Sequence, residues 1–179
     1  MESLRIIALG LATAVGYGIV HDQVSVRICP EYLTVAHPRI VDTSSPTLIA
    51  LAWGVAGTWW VGLPLGCLLA AAARAGGSRP KVASKELLRP ALLLVGAMTA
   101  ISVAAGFAGH ALSRAGVFNI LEPIASQIPP DRHASFMGVL WSHLGAYAAG
   151  LIGGLWLCAH VFWRKRTGKE GRRALLSGA

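Results

Sequence analysis

Charge is scarce in this chain. Only 13% of its residues are Asp, Glu, Lys or Arg, while 54% are hydrophobic. A water-soluble domain usually carries about 25% charged residues. Half that share leaves too little polar surface to coat a globule in water, so the composition points to a lipid-facing surface. Cysteine is scarce too. Cys29, Cys67 and Cys158 form no C-x-x-C pair, and an odd count without a spacing pattern argues against a disulfide framework. Cys67 and Cys158 lie in apolar segments, where a small thiol packs as a hydrophobe. There is no Gly-rich phosphate loop, no G-x-S-x-G elbow and no H-x-x-x-H pair. Charged residues are nearly missing from the middles of the apolar segments, which argues against an independent ion or proton transporter.

What the chain has instead is four long apolar runs, over about residues 4–20, 47–73, 91–110 and 134–163. Crossing ~30 Å of hydrocarbon takes about 20 apolar residues in a helix. Lipid offers the backbone no hydrogen-bond partners, so the spans must be helices or strands of a closed barrel. These runs are too long for barrel strands and do not alternate in polarity. The expected fold is therefore all-α: one transmembrane domain, residues 1–179, built as a bundle of four spanning helices.

The punctuation fits. Ser44 and Ser45 precede Pro46, a cap followed by a first-turn proline. Gly76, Gly77, Ser78 and Pro80 close the second helix, Pro90 opens the third, and Asp131 is the expected N-cap of the fourth. Pro64 should kink the second span. Gly145, Gly150, Gly153 and Gly154 should let the fourth helix approach its neighbours closely. Between Ser113 and Arg132, Phe118, Ile120, Leu121, Ile124 and Ile128 recur at roughly helical spacing, so a short amphipathic helix is expected on the outer surface before the fourth span. Arg5 and Ala12-Thr13-Ala14 also fit a cleavable signal peptide, but the apolar run continues through Val20, which favours a retained span.

The net charge of +8 reflects topology. Twelve of the 16 basic residues fall in the N-terminus, the loop between spans two and three, and the tail 164–179. Basic residues favour the cytoplasmic side. Both termini are thus expected in the cytoplasm, with the protein in the plasma (inner) membrane of its cell. The lipid bilayer is the expected partner, with another membrane protein or a second copy next, and nucleic acid is not needed to explain the charge.

Topology gathers five of the six histidines on or near the outer face. His21-Asp22 closes the first span, Glu31 and His37 lie in the first loop, and His143 lies on the fourth span; these five are the first-choice metal ligands. His110, His133 and Glu122 are second choices. Imidazole and carboxylate suit zinc, copper and iron. His133 and His143 are about 15 Å apart along one helix, so they cannot share an ion. Arg27 is expected to pair with Asp22 or Glu31 and fasten the loop. The stretch from Tyr17 through His21-Asp22-Gln23, Arg27, Glu31-Tyr32, Thr34 and His37-Pro38 resembles a signature of uncharacterised small bacterial four-span membrane proteins, Y-G-x-x-H-D-Q…R…E-Y…T…H-P. The likeness extends to Trp141–Tyr147, and Leu33 stands where that pattern has Phe. The resemblance implies the four-span layout and the importance of these residues, and it implies no activity. Two functions fit: a membrane protein with an outward His/carboxylate metal site for redox or hydrolytic chemistry, or a non-catalytic subunit or scaffold whose polar cluster is structural. Whether the chain is an enzyme is not legible.

Overall fold

In the computed structural model, residues 1–76 and 81–177 are described, with side chains as far as Lys165. Six α-helices follow in order: α1 (Glu2–Ile28), α2 (Glu31–Thr34), α3 (Pro46–Ala56), α4 (Trp59–Arg74), α5 (Ser84–Arg114) and α6 (His133–Ser177). There is no strand among the described residues. Four segments are long and apolar enough to cross a membrane: Glu2–Ile28, Pro46–Arg74, Ser84–Arg114 and Pro130–Lys165. The fold is the expected all-helical, multi-pass bundle, and its even number of spans returns both termini to one end.

Several boundaries differ from the expectation. α1 runs eight residues past Val20, so His21 and Asp22 lie inside a helix rather than at its end. α5 begins at Ser84, and Pro90 lies within it. The extra turns are capped from elsewhere: the Glu2 carboxylate accepts from the Ser84 backbone N–H at 2.7 Å and from its hydroxyl at 2.6 Å. An anion there suits a helix N-terminus. The second span is interrupted at Gly57–Thr58, and Pro64 sits inside the continuous α4. The expected amphipathic helix between Ser113 and Arg132 is replaced by two single 3-10 turns, Ala125–Gln127 and Pro130–Arg132. Pro123, Pro129 and Pro130 lack the N–H groups a longer helix needs there. Three of its apolar residues still pack inward, with Ile128 buried and Ile120 and Ile124 against the same cluster, while Leu121 is exposed. Helical structure starts at Pro130, so Asp131 falls within a 3-10 turn and not at a helix cap. Of the residues expected to end the second span, 77–80 lie outside the described residues; Gly76, just past α4, has φ +86°.

The packing uses small residues. Gly10, Ala14 and Gly18 on α1 face Gly54, Thr58, Gly62 and Gly66 of the second span, at four-residue spacing on both sides. A Cβ on Gly10 would lie 2.7 Å from the Gly66 Cα, and one on Gly62 would lie 2.6 Å from the Ala14 Cβ. Such close backbone approach gives dispersion contact where lipid supplies no hydrophobic driving force. The glycines of α6 behave as expected: Gly145 meets Ala105, Gly150 meets Met98, Gly153 meets Leu94 and Gly154 meets Leu65. Two buried apolar clusters result. One, at the α2 end, includes Val26, Cys29, Tyr32, Leu33, Ala50, Ile128 and Phe136. The other, at the termini, includes Ile6, Leu69, Ala73, Leu87 and Leu157. There Lys165 turns inward, only 4% exposed, and its ammonium donates to the carbonyls of Ala72, Ala73 and Ala75 at 2.9–3.0 Å. A cation thus satisfies the last carbonyls of α4.

A Cβ at Gly54 would lie within 3 Å of the backbone of Gly18 and Ile19, whereas one at Gly96 would meet nothing within 4 Å. Gly54→Val is therefore expected to destabilise the bundle by about 1–3 kcal/mol through overpacking. Gly96→Ala should be neutral or slightly stabilising. Thermal unfolding of the two variants in one detergent checks this.

Candidate metal centre

His21 and Asp22 are consecutive on α1, about two turns from its end, and His143 lies about three turns into α6. The helices bring them to one point. His143 Nε2 is 3.0 Å from Asp22 Oδ1, and His21 Nδ1 is 3.6 Å from the same oxygen. The two imidazoles meet edge to face with centroids 4.3 Å apart. One ligand atom from each residue lies within 4.8 Å of the others. Asp22 and His143 are buried, and His21 is nearly so. Tetrahedral ligands at about 2.0–2.1 Å from an ion stand roughly 3.4 Å apart, which falls between the two separations from Asp22 Oδ1; the two imidazole nitrogens lie within 4.8 Å of each other.

The far side of each ring is held. His143 Nδ1 is 2.9 Å from the Val139 carbonyl, which can only accept, so this nitrogen carries a proton. His21 Nε2 is 3.0 Å from Ser102 Oγ and 3.1 Å from Ser142 Oγ, and those two oxygens are 2.7 Å apart. Anchoring the second nitrogen is how proteins orient a ligating histidine. A neutral His143 would then aim its Nε2 lone pair at a carboxylate oxygen 3.0 Å away. That contact is repulsive unless a second proton or a cation lies between them.

A cavity of about 120 Å³ opens beside the cluster, lined by Tyr17, Tyr32, His37, Trp53 and Tyr147 together with the three central residues. Tyr32 packs on His143 with centroids 4.4 Å apart. Burial, with Tyr147 and Asp22 close by, pushes the Tyr32 phenol pKa upward, so it stays protonated. Tyr147 donates to the Gly57 carbonyl at 2.7 Å, satisfying an acceptor freed by the break in the second span.

None of the family models, curated proteins or solved structures compared with this chain matches it.

Of the five first-choice ligands, His21, Asp22 and His143 converge. His37 lines the cavity, but its Nδ1 donates to the Tyr32 carbonyl at 2.7 Å and its ring rests on Tyr32 and Trp53. Glu31 lies outside the cluster, 3.4 Å from Arg132 and within reach of the Cys29 thiol at 3.1 Å. The second choices stand apart. His133 faces the carbonyls of Ala125 and Ile128, His110 is exposed near the end of α5, and Glu122 accepts from the Ser126 backbone. Arg27 pairs with neither Asp22 nor Glu31. Its guanidinium bonds Gln23 and the Thr47 hydroxyl, one turn back and across to α3, and Arg132 takes the role of fastening Glu31. Sequence reasoning misses Ser102 and Ser142. The signal for Ser102 is a polar residue well inside an apolar span, which is seldom idle; Ser142 adjoins His143.

Burial alone would raise the Glu31 carboxyl pKa, but its own backbone N–H, the Cys29 thiol and Arg132 outweigh it and hold it below the usual value. Its contribution to stability is therefore present above the unfolded carboxyl pKa and lost as pH falls through the lower folded one. Acidification below about pH 4 should lower the Tm of the wild type more steeply than that of Glu31→Gln. Burial and then Glu31 push the Cys29 thiol up to about 12. Cys29 should therefore escape maleimide at about pH 8 in the folded protein and react only after denaturation, as read by mass spectrometry.

Proposed function

We propose that this is a membrane protein that binds a transition metal ion between its first and last spans, with His21 Nδ1, Asp22 Oδ1 and His143 Nε2 as ligands. The observation that carries the reading is the His143–Asp22 contact. The Val139 carbonyl fixes the proton on Nδ1, which leaves Nε2 3.0 Å from a carboxylate oxygen and calls for a positive charge between them. The nitrogen and oxygen set suits zinc, copper or iron. Three protein ligands leave a position open toward the aromatic cavity. That is the arrangement of centres that use a metal for Lewis-acid hydrolysis or for redox work. With the basic segments marking the cytoplasm, the site faces the extracytoplasmic side.

The second reading puts a proton where the first puts a metal. An imidazolium at His143 against the Asp22 carboxylate is a buried ion pair, with both ring hydrogens accepted, one by the Val139 carbonyl and one by Asp22. It would fasten α1 to α6 in a non-catalytic subunit that packs against another membrane protein or a second copy. Breaking such a pair by removing one partner costs about 3–5 kcal/mol, whereas replacing both partners with apolar residues is often neutral or stabilising.

The two readings separate in one set of proteins. Gently extracted wild type should hold about one equivalent of zinc, copper or iron by elemental analysis. Asp22→Asn and His143→Ala should lose it. Wild type without stoichiometric metal, combined with recovery of stability in Asp22→Leu/His143→Leu, would establish the ion pair and remove the metal centre.

A further inference from the structure

On the other side of His21 from the metal ligands lies a second, larger cavity of about 770 Å³, between α1, α5 and α6. Its walls are Val20, Val24, Ile28, Val95, Val103 and Phe107, most of them exposed on the apolar outer surface of the bundle. Its polar floor is the triangle of His21 Nε2, Ser102 Oγ and Ser142 Oγ. Ser102 is only 2% exposed.

Hydrogen counting shows what the floor requires. With His21 Nδ1 given to a metal, Nε2 carries the ring proton and donates to the serines. Two hydroxyl hydrogens remain, and only one can be used between Ser102 and Ser142. The triangle is then one acceptor short, and the spare donor borders the cleft. Tyr17 does not cure the shortage. Its buried hydroxyl lines the same cleft and has no hydrogen-bond partner of its own, so accepting the spare hydrogen would only leave the phenol's hydrogen over instead. The missing partner is an oxygen with lone pairs, delivered from the bilayer. Depth narrows its chemistry. His21, Ser142 and Ser102 lie seven, nine and twelve residues inside the ends of their helices, about 10–18 Å down at ~1.5 Å per residue. The spans of 27, 31 and 36 residues are longer than the ~30 Å hydrocarbon layer and, centred in it, overhang by about 5–12 Å at each end, which leaves the triangle about 5–10 Å inside the hydrocarbon, below the level of charged headgroups. The occupant must carry an uncharged acceptor into hydrocarbon and fill apolar walls around it.

We propose that this cleft binds a lipid-soluble quinone, with a ring carbonyl accepting from the Ser102/Ser142 pair beside His21. The inference rests on the metal reading, because a metal on Nδ1 fixes the proton on Nε2. It deepens that reading by placing a redox-capable ligand against the back of a ligating imidazole.

The test uses the full chain in phosphatidylcholine nanodiscs, titrated with decylubiquinone while tryptophan quenching is followed. Gly16 lines the cleft, and a Cβ there would meet nothing within 4 Å, so Gly16→Phe extends a ring from that open position into the cleft. Saturable quenching is expected in wild type. The Ser102→Ala/Ser142→Ala double variant should bind about tenfold more weakly, the loss of one hydrogen bond, and Gly16→Phe should show no saturable phase. Identical titrations in all three proteins would mean partitioning into lipid and would overturn the site. Competition by dioleoylglycerol as effective as by a second quinone would overturn it in favour of a general lipid groove. Metal content, measured on the same samples, keeps the two claims apart: metal-free wild type overturns the metal reading beneath the inference, whereas metal-loaded wild type without saturable quenching overturns the quinone site alone.

Discussion

The Asp22 carboxylate lies inside a helix that is otherwise fit for lipid, and everything near it is arranged to make that tolerable. An unpaired carboxylate in hydrocarbon is very costly. His143 from α6 and His21 beside it supply the compensation, the former at 3.0 Å. This contact also joins two halves of the bundle. α1, α3 and α4 interlock through their small residues, and α5 and α6 pair along most of their length. α1 and α6 touch sparingly elsewhere. The polar centre thus sits on the seam between two well-packed halves, which α4 against α6 and α1 against α5 also close.

The seam is also where the structure is open. The aromatic cavity adjoins Asp22 and His143, and the larger cleft adjoins Ser102 and Ser142, so His21 stands between them with one nitrogen toward each. The interrupted second span contributes to the first opening. Gly57 and Thr58 leave the regular helix beside the cavity, Thr58 donates back to the Gly54 carbonyl, and Tyr147 reaches across from α6 to the Gly57 carbonyl. Broken backbone at membrane depth survives only where protein satisfies it or a cavity is lined; both conditions hold here.

The four spans are legible in the sequence because length and hydropathy in lipid leave the chain little choice. Their ends are less so. α1 continues through His21, Asp22, Gln23 and Arg27, polar residues that read as a loop, because Asp22 and His21 face inward while Gln23 and Arg27 bond one another along the helix. The break in the second span at Gly57–Thr58 carries no proline and falls beside Gly54 and Thr58, where that span packs against α1. That His21, Asp22 and His143 come together is legible from topology alone, since adjacent helix ends in a small bundle must meet. Glu31 falls elsewhere because Arg132, 101 residues away in the chain, reaches it first. No spacing rule predicts such a pairing.

Charge balance constrains what the proposed centre holds. One carboxylate and two neutral imidazoles carry one negative charge, and the Tyr32 phenol beside them stays neutral. A single proton on His143 brings the cluster to zero, and so would a monovalent ion. A divalent ion would leave one positive charge in surroundings of low dielectric, where an uncompensated charge is strongly disfavoured. It would draw a further anion into the adjoining cavity, or lean on the electron-rich faces of Tyr32 and Trp53. A monovalent soft ion would be neutral without help but would find no sulfur donor in the triad. Were a divalent ion bound there, the balance would call for an anionic ligand from the cavity side, and the aromatic chamber would be the place with room for it.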